Sequence, residues 1–285
     1  MSDKRPKSKA KPIVYYLLAF LLSFALFLFS TCAILEATVF SKDYMINAMG
    51  SCGYYSMVED EFKSDMISLG NASGLDEDFS VNFVESLDIQ TIEQDYISSF
   101  YSGEKTLVDT IAFKQQLYAA IDDYIIEKGL DKNSMSPENL NYFVDQASNI
   151  YVNQISIPFF SYIANYIHNL STPMLVITIA LAAFALIIAA LIFFTNKYTH
   201  RRYRFLGYGC GGAFLAVVII PTFVFISGKI SQINLNTRSL YNLFVNYANG
   251  LFAWFFILAG ILLVLTLICF FLYRKYYKKA TSHHR

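Results

Sequence analysis

The chain has 285 residues, 55% of them hydrophobic and 17% aromatic, with 22 basic and 22 acidic side chains and a mean hydropathy of +0.40. Its formal net charge of zero is an average over strongly unlike regions rather than the mark of a neutral surface, and no nucleic-acid partner is expected. Its apolar residues gather in four stretches free of Asp, Glu, Lys, Arg and His, at 13–35, 173–195, 205–226 and 251–273, which excludes an ordinary soluble protein.

Residues 1–12 form a basic leader carrying Lys4, Arg5, Lys7, Lys9 and Lys11. The uncharged run at 13–35 exceeds the roughly 7–15 residues of a secretory signal core, so an uncleaved anchor is expected. Cys32 follows Phe29-Ser30-Thr31, a poor lipoprotein signal because Thr stands where Gly or Ala is usual. It reads as a plain membrane cysteine.

Residues 36–172 hold 21 of the 22 acids and six lysines, a net charge of −15. This acidic region is long enough for a folded domain with its own core. Of the four cysteines it contains Cys52 alone, so it forms no internal disulfide. Few cysteines with abundant Ile, Tyr, Phe, Asn and Lys point to a low-GC bacterium.

The domain reads as helical. Tyr55, Val58, Phe62, Met66 and Leu69 share one face of a helix spanning 44–69, stopped by Gly70 and the cluster 71–74. A short strand is conceivable at 79–84. Thr91-Ile92-Glu93-Gln94 has the form of a capping box, opening a helix that Gly103 ends. Asp109 or Thr110 caps the next, whose stripe is Phe113, Leu117, Ala120, Ile121, Tyr124 and Ile125, with Gly129 after it. Ser136-Pro137-Glu138 is a strong start signal for a helix buried through Leu140, Phe143, Val144, Ala147, Ile150 and Tyr151. Pro158 marks a break.

The second stretch, 173–195, is joined to the third, 205–226, by a link at 196–204 carrying Lys197, Arg201, Arg202 and Arg204. A loop at 227–250 precedes the fourth stretch, 251–273, and a basic tail occupies 274–285. Basic segments stay on the cytoplasmic side. Both termini and the link are therefore expected inside, and the acidic domain and the 227–250 loop outside. The expected fold is an all-α polytopic membrane protein with four transmembrane helices and a helical extracytoplasmic domain between the first and second. Trp254, Tyr203, Tyr241, Tyr247 and Tyr273 suit aromatic anchors at the interfaces.

The third stretch opens with glycines. Gly207, Gly211 and Gly212, with Pro221 further on, are the residues expected to set helix packing, because small residues let backbones approach closely in lipid. Packing against the other spans outweighs self-association or a hinge. The spans lack the carboxylates, histidines or charged arrays of a proton-coupled transporter, voltage sensor or intramembrane protease.

Carboxylates cluster at 59–61 with Asp65 and at 76–78; the loop 76–80 and the stretch 131–133 lack the Gly and Glu spacing of a calcium loop, and Asp122-Asp123 with Glu127 lie off the apolar face of their helix. They read as solvated faces. Glu36, Cys52 and His168 are the candidates for chemistry at the outer face, a Cys–His pair being chemically conceivable there. No catalytic, metal or cofactor motif is found, and no cofactor is expected.

The leading expectation is a non-enzymatic binding, sensing or complex-assembly component of a bacterial plasma membrane, working through the acidic domain. Its expected partners are membrane lipid, other membrane or envelope proteins, and a cationic ligand or surface. With no cytoplasmic signalling domain in the sequence, its output passes through another protein. The order of spans and outer domain resembles that of permease-like subunits of ABC-type export or cell-division complexes, which is the alternative. In that class the resemblance implies an ATPase partner and an amphipathic helix before the first span, although the 12-residue leader is too short for that helix and the link is short for docking an ATPase. An outer-leaflet membrane enzyme resting on Glu36, Cys52 and His168 is the weakest reading.

Overall fold

The computed structural model describes residues 10–104, 108–129, 136–158, 160–235 and 237–282. Every regular element among them is helical: α1 (Ala10–Ala37), α2 (Lys42–Ser51), α3 (Tyr54–Ser73), α4 (Glu77–Glu85), α5 (Ile89–Ser102), α6 (Thr110–Glu127), α7 (Pro137–Ile155), α8 (Phe160–Thr195), α9 (Thr199–Ser227) and α10 (Arg238–Ser282), with a short 3-10 turn at Lys229–Gln232. Four of these helices, α1, α8, α9 and α10, are long and apolar enough to cross a membrane. The 36 residues of α8 and 45 of α10 reach about 54 and about 68 Å, well beyond the about 30 Å of a hydrocarbon core. Pro173 lies inside α8 and Pro221 inside α9, and both helices continue through them.

The chain divides into two compact units. The apolar unit takes residues 1–39, 171–233 and 248–285. Its framework is the pair α1 and α9. Ala185, Ile188 and Ile192 of α8 join Ala19, Leu22, Ala25 and Phe205, while Phe255, Ala259 and Leu262 of α10 join Ile34, Ala213 and Val217. Large apolar side chains such as Phe20, Leu186, Phe223 and Ile226 stay exposed on this unit. Such a surface suits lipid as solvent.

The polar unit takes residues 40–170 and 234–247. At its centre α3 buries Tyr54, Val58, Phe62 and Met66. Against them lie Phe79, Phe83 and Val84 of α4, Phe113, Leu117 and Ile121 of α6, and Phe143, Val144, Ala147 and Tyr151 of α7. The Phe113 and Tyr151 rings stack at 4.2 Å. The start signals act as their chemistry requires. Asp109 Oδ1 accepts from the amides of Ile111 and Ala112, and Ser136 Oγ accepts from that of Asn139 ahead of Pro137 at the first helical position.

Four local expectations are corrected. The helix expected over 44–69 is two helices, broken at Cys52-Gly53, where Gly53 takes φ +69°. Of the expected stop, α3 runs through Gly70 but ends at Ser73 with Gly74 as its left-handed cap, inside the 71–74 cluster. Residues 79–84 are helical, with Asp76 Oδ1 capping α4 through the Phe79 amide. The capping box at Thr91 is not one, because α5 starts two residues earlier and Asp88 caps it through the Thr91 amide. The 227–250 segment is also less of a loop than expected, since α10 begins at Arg238.

Candidate functional site

The glycines of α9 divide between two neighbours. A methyl group added at Gly209 would stand 2.6 Å from Leu22 Cδ2, and one at Gly212 would stand 2.5 Å from Ser23 Oγ, so this face is closed against α1. At Gly207 and Gly211 the added carbon would meet Cys269 Cβ and Thr266 Cγ2 of α10 at 3.4 Å each. Pro221 is buried.

The three residues singled out for outer-face chemistry have separate surroundings. Glu36, near the end of α1, is half-buried, and its Oε2 makes no hydrogen bond among the described residues. The Cys52 thiol donates to the Met49 carbonyl at 3.5 Å, and burial pushes its pKa up, away from the thiolate a nucleophile needs. His168 is exposed, with Nδ1 3.4 Å from the Tyr101 carbonyl and its ring laid over Gly103. A carbon added at Gly103 would come 2.5 Å from the His168 ring, so this left-handed position, φ +74°, also has to be bare. Among the described residues no three His, Cys, Asp or Glu side chains gather as a metal site.

Two of the acidic clusters have structural partners, while Asp122, Asp123 and Glu127 are exposed. Asp76 caps α4, Glu77 and Asp78 lie in its first turn, and Lys128 sits 3.0 Å from Asp76 and holds its carboxyl below the usual range. Lys63 pairs with Glu59 and Glu85 at 2.9 Å each, and Asp65 accepts from Gln154 at 2.8 Å. A cleft of about 660 Å³ between α4 and α6 is lined by Asp78, Phe79, Gln116, Asp123, Tyr124 and Glu127 among others. The cluster around Asp131 lies outside the described residues.

Two arrangements in the polar unit escaped sequence reasoning. The first is a clasp on the start of α10. Glu61 of α3 accepts from the Ser239 amide at 3.0 Å and from the Ser239 hydroxyl at 2.6 Å, placing a carboxylate on the positive end of the helix. Thr237 caps the same end through the Leu240 amide at 3.3 Å. One to two turns on, Asn246 donates to the Ala48 carbonyl and Ser51 Oγ at 3.0 and 2.8 Å, and the Tyr44 hydroxyl donates to the Tyr247 carbonyl at 3.1 Å. Tyr247, expected as an interface anchor, is thus part of this clasp, and Leu243 enters the core. The spacing of Leu240, Leu243 and Tyr247 was the available signal.

Glu61→Ala is expected to fray the first two turns of α10, costing about 1–2 kcal/mol for the lost cap. Amide hydrogen exchange over residues 238–247 should rise about tenfold while exchange in α7 is unchanged.

The second is Glu93. Its side chain is 0% exposed, in the middle of the buried stripe of α5 formed by Ile89, Tyr96, Ile97 and Phe100. Neither carboxyl oxygen has a hydrogen-bond partner among the described residues. Burial holds this carboxyl well above the usual range, while the nearby Tyr54 hydroxyl, though out of good hydrogen-bond geometry, pulls the other way. Tyr54 itself is raised well above a normal phenol, by burial first and then by the charges of Glu93 and Glu61. The sequence carried the clue in the spacing of Ile89, Glu93, Ile97 and Phe100, which puts a carboxylate on an apolar face.

Comparison of the chain with protein-family models, with curated proteins and with solved structures finds no match.

Proposed function

We propose that this is a multi-pass component of a bacterial cell membrane, with both termini cytoplasmic, whose acidic helical unit lies outside and works by binding rather than catalysis. The positive-inside distribution of the basic segments supports the orientation. Binding to the acidic unit is relayed to the membrane helices, and the observation that carries this relay is the clasp. The same helix that Glu61, Ser51 and Tyr44 hold within the polar unit continues as the apolar segment of α10, without a linker. A partner that shifts α2 or α3 thereby acts on a membrane helix. The acidic surplus and the α4–α6 cleft favour a cationic peptide or a basic protein surface as that partner. The raised thiol of Cys52 and its separation in partners from His168 favour a non-catalytic role.

Crosslinking in native membranes followed by purification and mass spectrometry tests this reading. Stoichiometric capture of a receptor, sensor kinase or envelope protein through the acidic unit is the expected result. Stoichiometric capture of an ATPase through the cytoplasmic segments would replace it with the permease-type alternative.

A further inference from the structure

Glu93 has no structural task that its neutral isostere could not perform. Among the described residues it caps no helix, pairs with no cation, and has a hydrogen-bond partner at neither oxygen. An ionised carboxylate in that position is strongly disfavoured. The titratable groups that interact with it are Tyr54 and Tyr55 from α3, Tyr96 on α5 itself and Tyr151 from α7, while Glu61 and Cys52 act in turn on Tyr54 and Asp109 ahead of α6 on Tyr151. These are phenols, a thiol and carboxyls. None supplies the positive charge that would compensate a carboxylate. Meanwhile α2 and α3 hold the clasp on α10 through Tyr44, Ser51 and Glu61. The helix that carries Glu93, α5, packs against both α2 and α3, so its seam and the clasp share the same two helices.

We propose that Glu93 is a proton-operated latch: while its carboxyl is neutral the seam of α2, α3 and α5 stays closed, and when it ionises the seam opens and the clasp on α10 loosens. The ligand sensed by the polar unit is then the hydrogen ion. The proposal deepens the relay reading, and rests on it for the step into α10 alone.

The sign follows from linkage. The folded unit binds the proton more tightly than the unfolded chain, because burial raises the carboxyl above its ordinary value of 4.5. The stabilisation is complete below that ordinary value and is lost as pH rises through the raised one. Higher pH therefore opens the latch, and acid closes it.

The test uses the full chain in lipid nanodiscs with no partner present. Amide hydrogen exchange, corrected for its intrinsic pH dependence, is measured between about pH 5 and about pH 8 for the wild type and for Glu93→Gln. Protection of α2, α5 and the first turns of α3 in the wild type is expected to fall by about tenfold or more over that range, with residues 238–247 following. Glu93→Gln should keep its acid-state protection throughout. Constant protection in the wild type, or an unchanged pH dependence in Glu93→Gln, overturns the latch. Loosening of the seam with residues 238–247 unaffected overturns the step into α10 and with it the relay, while the latch stands. Should Glu93→Gln fail to fold, infrared titration of the wild type decides. A buried protonated-carboxyl band that disappears together with the protection is expected, and its absence in acid overturns the proposal.

Discussion

Phe62→Ala is expected to destabilise the polar unit by about 3–5 kcal/mol, the cost of deleting a large aromatic side chain from a packed core. Phe62 is 0% exposed and stands at the centre of α3, with ring centroids 6.2 Å from Phe113 and 6.0 Å from Tyr151. It therefore joins three helices, α3, α6 and α7, and the void left by Ala has backbone on several sides that cannot collapse together. A urea titration of the protein in detergent, followed by helical circular dichroism, should show the midpoint of the polar unit fall with its slope unchanged. Tyr142→Ala, at a side chain 64% exposed, is the control and should move the midpoint by no more than about 0.5 kcal/mol. Equal effects at the two positions would mean that the core is not built around α3.

Gly209→Leu is expected to disrupt the apolar unit, at a cost of about 1–3 kcal/mol or more from overpacking. The space a first carbon would occupy is already filled by Leu22, whose Cδ2, Cγ and Cβ would stand 2.6, 2.9 and 3.1 Å away. These include atoms near the α1 backbone, so a rotamer change in Leu22 does not clear them. In lipid, where hydrophobic transfer gives no drive between helices, close packing of this kind supplies much of the association. The α1–α9 pair should then part, seen as a lower thermal midpoint in detergent and as weaker crosslinking between cysteines placed on the two helices. Gly260→Leu is the matched control, since a carbon added there meets nothing within 4 Å. Loss of the pair in both variants would point to helix propensity or insertion rather than to the α1–α9 contact.

Much of the framework is legible from the residues because strong local physics agrees with the tertiary structure. Uncharged runs of about 20 residues have few alternatives to a spanning helix. Ser136-Pro137 is read correctly as a start, and Asp109 is one of the two caps offered with Thr110, because a side-chain oxygen and a fixed φ act within one turn. The α9 glycines are legible as packing residues, although their division between α1 and α10 depends on the three-dimensional phase of the helix.

What escaped depends on distant partners or on competing local signals. The break at Gly53 sits within an otherwise helical period, where one glycine commonly continues a helix and here turns the chain. Thr91 imitates a capping box, yet Asp88 lies three residues earlier with the better oxygen. That misreading also hid Glu93, which the box would have placed at a solvent-facing helix start. The first turns of α10 read as loop because their partners, Glu61, Ser51 and Tyr44, are nearly 180 or more residues away in sequence.

The most direct test of the central claim, an acidic helical unit outside joined by α10 to a membrane whose basic segments lie inside, is thiol labelling in intact cells. In a background with Cys32, Cys52, Cys210 and Cys269 replaced, single cysteines are introduced as Asp123→Cys and Lys197→Cys, both exposed positions. A membrane-impermeant maleimide is expected to label Asp123→Cys in intact cells, and to reach Lys197→Cys after lysis alone. Labelling of Lys197→Cys in intact cells, with Asp123→Cys protected until lysis, would contradict the topology and the relay built on it.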